Sequence, residues 1–177
     1  EQDLDVWWEM TLENLVPERQ LNPDDFLARV DILGSLGRTV LISKFGEYYR
    51  LAGYLSRYTN RMVALVMGVP SLHEIFDEKY YLNLEGGILE ALGRMFKSGL
   101  KLFVYPLEDE KSGELMTAKQ IEVAPNLRHL YQYLNDNGFI QEDPAEHREY
   151  LNVLPTGRAG ELPRGAPTVA SRVAAVS

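Results

Sequence analysis

No cysteine occurs among the 177 residues, which excludes disulfides, thiolate metal sites and thiol nucleophiles together. Histidine is almost as scarce. His73, His129 and His147 are too scattered for a metal site, and neither His-x-x-x-His nor His-Glu-x-x-His occurs, so no metal and no cofactor are expected. Clustered base is also missing: the net charge is -8 with a pI near 4.9. A nucleic-acid backbone rewards grouped Lys and Arg interleaved with aromatics, so no nucleic-acid partner is expected. No apolar run approaches the length of about 18 residues that a membrane span needs. The opening Glu1-Gln2-Asp3 lacks the basic-then-apolar pattern of a signal peptide. Together with the absent thiols, this sets a cytoplasmic expectation.

What is present is an ordinary globular composition, 45% hydrophobic and 25% charged, enough to bury one core. Three short apolar runs organise it: residues 39–45, 62–67 and 100–105. The first two are apolar on consecutive residues, as a strand reads when both faces are covered. Lys101 in the third marks a face or end that is less buried. Amphipathic segments separate the runs. The fold expected is therefore α/β, a three-layer, mainly parallel sheet in Rossmann-like order with flanking helices. The alternation Gln120-Ile121-Glu122-Val123 adds an expected edge strand or hairpin near 115–123.

The helices are punctuated by residue type. Asn22-Pro23-Asp24-Asp25 combines a capping amide, a proline at the first helical position and acids facing the positive end of the dipole. Gly34 and Gly37 end that helix, and Asn137-Gly138 ends the last one. Leu4, Trp7, Trp8, Leu12 and Leu15 fall at helical spacing, predicting an N-terminal helix over 4–16. One domain over 1–154 is expected. Residues 155–177, rich in Pro, Gly and Ala, read as a flexible or partner-docked tail.

No nucleophile elbow, phosphate loop or calcium loop is found. In open α/β sheets ligands sit outside the carboxyl ends of the strands, which nominates Ser43, Lys44, Gly68, Ser71, His73, Asp77, Tyr80 and Glu85. His73 and Asp77 stand four residues apart on one helix, able to orient an imidazole or simply to pair on the surface. Gly86-Gly87 at a helix start could offer N–H groups to an anion, against the charge of Glu85 and Glu90. Gln120, Ile121, Glu122 and Val123 form a possible peptide-accepting edge.

The wording of Glu74-Ile75-Phe76-Asp77-Glu78-Lys79-Tyr80-Tyr81, of Leu84-Glu85-Gly86-Gly87-Ile88-Leu89-Glu90 and of Leu102-Phe103-Val104-Tyr105-Pro106 resembles a C-terminal region of long bacterial proteins labelled nicotinate-nucleotide adenylyltransferases. It also resembles short stand-alone relatives in peptide natural-product pathways such as the crocagin pathway. The second resemblance implies precursor-peptide binding without catalysis. The nucleotidyltransferase label requires a His-x-x-His motif, which this chain lacks. The expectation is a non-catalytic binding protein for a peptide or protein segment, acting as a homodimer. Ten tyrosines suit such a role, because tyrosine supplies wide amphipathic contact at low entropic cost. The alternative is a nucleotide- or phosphate-binding domain of a transferase-type enzyme at the strand ends.

Overall fold

Trp7 and Trp8 are neighbours in sequence, yet they serve opposite faces of a sheet. The computed structural model, which describes residues 5–12, 23–108, 115–142 and 172–176, makes Asp5–Thr11 a strand, β1. This corrects the expected helix over 4–16. Trp8, Glu9, Met10 and Thr11 are all buried, and only a strand inside a sheet hides consecutive residues on both sides. Leu4 and Leu15, which helped to suggest a helix, lie outside the described residues.

Helix α1, Pro23–Ser35, follows the predicted start. Its end is a Schellman turn: Arg38 N–H donates to the Leu33 carbonyl at 3.1 Å and Gly37 N–H to that of Gly34 at 2.9 Å. Gly37 takes the required left-handed conformation, φ 69°, at no steric cost. The chain then enters β2, Thr39–Ser43, crosses through α2, Tyr48–Leu55, and returns as β3, Val63–Gly68. Helix α3, Val69–Ile75, starts directly off β3 with Pro70 in its first turn, and a 3-10 turn spans Glu78–Tyr81. Helix α4, Gly87–Phe96, leads to β4, Lys101–Tyr105. A small hairpin, β5 at Leu107–Glu108 and β6 at Leu115–Met116, precedes 3-10 turns at Ala118–Gln120 and Pro125–Leu127. Helix α5, Arg128–Asp136, and β7, Ile140–Glu142, follow, and β8 covers Arg172–Val176.

Among the described residues six strands form one sheet, in the order β2-β1-β8-β3-β4-β7. The β2–β1, β3–β4 and β4–β7 pairs are parallel, and β8 runs antiparallel to both β1 and β3. The architecture is α/β with a mainly parallel sheet. Alternate residues separate its faces. Val63, Leu65, Met67, Leu102, Val104 and Ile140 join the buried side chains of α2, α3, α4 and α5 in one core, with Trp7 and Leu41 packed against it. Trp8, Met10, Ala64 and Phe26 of α1 are buried outside that core. The chain steps one way through α1 and the other way through α2, α4 and α5, and crossovers of the usual right hand then put α1 on the face opposite the other three. In β4, Leu102 and Val104 are buried while Lys101, Phe103 and Tyr105 are half-buried, matching the expected weaker face.

Two further expectations need correction. Residues 172–176 of the expected tail form a central strand, bonded to β1 on one side and β3 on the other. Main-chain pairing of this kind leaves no mark on composition. The rest of 155–177 lies outside the described residues. Residues 120–123 belong to no strand. Gln120 closes a 3-10 turn by a capping box, its side-chain oxygen accepting from Thr117 N–H at 2.9 Å, so the hairpin stops at Met116.

Candidate functional site

Phe76, at the end of α3, is the anchor from which a surface cleft is built. Its buried ring meets Tyr131 of α5 edge-on, centroids 4.9 Å apart. The Tyr131 hydroxyl in turn donates to the Ala118 carbonyl. This relay holds the Ala118–Gln120 turn against α5, and the chain leaves the turn extended. Over residues 121–124 burial alternates: Ile121 and Val123 pack on the core while Glu122 and Ala124 face outward. The alternation read from sequence is real, although it occurs in an extended segment outside the sheet.

Between this segment and α3 lies a cleft of about 270 Å³ lined by His73, Phe76, Asp77, Glu78, Glu122, Val123 and Ala124. Asn126 Nδ2 donates to Glu78 Oε2 at 3.1 Å and ties the two walls together. Asp77 accepts from the Lys79 main-chain N–H at 3.1 Å and pairs with its ammonium at 2.5 Å. The Lys79 hydrogen bond pulls the Asp77 carboxyl below its ordinary range, partly opposed by burial. The Lys79 ammonium also lies 4.7 Å from the centre of the Tyr80 ring. Among the described residues no group of three His, Asp or Glu side chains is arranged to hold a metal ion.

The cleft unites His73 and Asp77, nominated as strand-end ligand residues, with Glu122 and Val123, nominated as a peptide edge. Gln120 and Ile121 fall just short of it, in the capping turn and the core contact. The others are spread elsewhere. Tyr80 is exposed on the 3-10 turn, Glu85 is exposed before α4, Ser71 is half-buried within α3, and Lys44 is exposed past β2. Gly68 ends β3 under the Tyr105 ring, whose atoms would lie 3.1 Å from a Cβ at that position.

Ser43 is committed to structure. Its hydroxyl donates to Glu9 Oε1 and accepts from Phe45 N–H at 3.1 Å. Glu9 is fully buried, a residue that the sequence reading passed over because it stands inside an apolar strand. The Gly86-Gly87 turn is similarly occupied: Gly86 N–H donates to Glu90 Oε2 at 2.9 Å, so a carboxylate from the chain itself takes the position proposed for an anion. Phe76, Glu78 and Ala124 are the cleft residues that were missed. Their signal was the spacing of Phe76 and Glu78 around the already nominated Asp77.

Three tyrosines tie this end of the molecule together. Burial raises the hydroxyl pKa of Tyr81, Tyr105 and Tyr131, with Tyr48 adding to the first two. Tyr81 also donates to the Ile75 carbonyl at 2.8 Å, beside Phe76 in sequence. A pKa raised on folding favours the neutral phenol, so the associated stability is whole below the unfolded value and is lost as pH climbs toward the folded one. The urea midpoint should therefore hold through neutral pH and fall above about pH 10, the ordinary tyrosine value. The share of tyrosinate absorbance that Tyr81, Tyr105 and Tyr131 contribute, read as the difference from their Phe variants, should rise together with unfolding. Ionisation of these three at about pH 10 in a still-folded protein would contradict their burial.

Comparison of the chain with protein-family models, curated proteins and solved structures found no match. The functional reading therefore rests on geometry. Among the described residues no helix is long and apolar enough to cross a membrane.

Proposed function

We propose that the protein is a non-catalytic binding protein that grips an extended peptide or protein segment along the cleft between α3 and residues 121–124. One observation carries this reading: an extended stretch of chain, outside any ladder, forms one wall of a cleft whose other wall is acidic. Extended main chain offers hydrogen bonds to a segment laid beside it. Glu78, Glu122 and Asp77 favour a lysine or arginine side chain in the cleft, and Phe76 supplies an apolar floor for its stem. The phosphate-ligand alternative draws less support, because carboxylates of Glu9 and Glu90 already engage Ser43 and the Gly86 N–H.

Fluorescence anisotropy with labelled extended peptides, identical except for a central Lys or Glu, tests the proposal. The Lys peptide should bind saturably and the Glu peptide should not. Glu122→Lys should weaken binding about tenfold or more, equivalent to about 1.4 kcal/mol, and added salt should weaken it further. Lack of saturable binding, or affinity indifferent to Glu122→Lys, would remove this cleft as the site.

A further inference from the structure

We infer that two copies of this chain pair edge to edge through β2, running antiparallel, with Leu41 on the two-fold axis. Among the described strands β2 is outermost, bonded to β1 alone. Leu12 N–H donates to the Ser43 carbonyl at 2.9 Å, which turns the polar main-chain groups of Thr39, Leu41 and Ser43 toward β1. Those of Val40 and Ile42 therefore point outward. Two outward residues separated by one inward residue form a self-complementary edge. In an antiparallel copy Val40 faces the partner's Ile42, and the reverse, closing about four N–H···O bonds without help from any other molecule.

The side chains match in the same register. On the α1 face Ile42 is 48% exposed, and Leu36 and Ile32, where α1 runs into β2, are 49% and 58% exposed. Pairing sets Ile42 against Val40 of the partner subunit. On the other face Leu41 meets its own copy, and Thr39 meets Ser43 of the partner subunit. The opposite edge of the sheet suits pairing less: β7 has three residues, the Ala118–Gln120 turn packs beside it, and Lys119 bridges to Glu142 at 3.7 Å. At each end of the paired strands Arg38 approaches the partner's Lys44. Added salt should screen that repulsion and tighten the dimer, the reverse of its effect on a basic peptide in the acidic cleft. The two proposals can thus fail independently.

The native chain has no cysteine, so Leu41→Cys supplies a single reporter. Opposed residues of a non-hydrogen-bonded antiparallel pair have Cα atoms about 4.5 Å apart, within disulfide range. In a glutathione buffer Leu41→Cys should form a disulfide-linked dimer, whereas Ser98→Cys, exposed on the far side of the chain's third crossover, should not. Sedimentation of the unsubstituted full chain should show a dimer. Val40→Pro removes one outward donor per copy and leaves the ladder to β1 intact, so it should raise the dissociation constant about tenfold or more. A monomer at about 100 μM would overturn the inference. So would a dimer that ignores Val40→Pro and does not cross-link at Leu41; should Val40→Pro fail to fold, the Leu41→Cys result decides alone.

Discussion

Ala174→Pro should prevent folding or cost about 3 kcal/mol or more. Strand β8 is bonded on both sides, by register pairs to β1 from Asp5↔Val176 to Glu9↔Arg172 and to β3 from Val63↔Val176 to Val66↔Val173. Whichever neighbour receives the residue 174 N–H, proline removes that donor and thrusts its ring into the ladder. Proline is tolerated at sheet edges and is excluded from centres for this reason. The damage is larger than one hydrogen bond because β8 is the sole ladder joining β2–β1 to β3–β4–β7 in the described sheet. Urea unfolding followed by circular dichroism measures it. A loss below about 1 kcal/mol, the net worth of a single hydrogen bond, would mean that residues 172–176 do not occupy the sheet centre.

The second large effect belongs to Trp8. Its side chain is 0% exposed, so Trp8→Ala should cost about 3–5 kcal/mol through lost burial and the cavity left behind. Trp8→Phe should be far milder. The indole Nε1 is buried with no hydrogen-bond acceptor among the described residues, and removing an unsatisfied donor returns part of its desolvation cost, about 1–3 kcal/mol. Urea midpoints of the two variants should therefore differ widely, with Trp8→Phe close to the unsubstituted protein. If Phe proves nearly as harmful as Ala, the indole N–H has a partner that stabilises it.

Why these two strands escaped the sequence reading is physical. Strands β2, β3 and β4 announced themselves because their apolar runs lie between clear breakers such as Gly46, Gly68 and Pro106. Helix α1 did so through Pro23 at its start and Gly37 at its end. In β1, burial on both faces puts Trp7, Trp8 and Met10 close together. A dense apolar cluster fits helical and strand spacing equally, and the nearby Leu12 and Leu15 tipped the choice. In β8 the stabilising partners are main-chain groups of β1 and β3, remote in sequence, and alanine carries no strong strand preference. The cleft was half legible. His73 with Asp77 and Glu122 with Val123 were each conspicuous, but their meeting depends on the contact between Phe76 and Tyr131, which no local pattern encodes.

The seam at β8 also constrains how the protein is made. As the chain leaves the ribosome, β1 emerges before β3 and β8 only after β7, so the inner margins of β1 and β3 wait unpaired until residues 172–176 have been made. Contacts this distant in sequence slow folding, and unpaired strand margins invite association with other nascent chains. Refolding in vitro should accordingly be slow, with yields that fall as chain concentration rises, and a molecular chaperone that shields those margins should restore them.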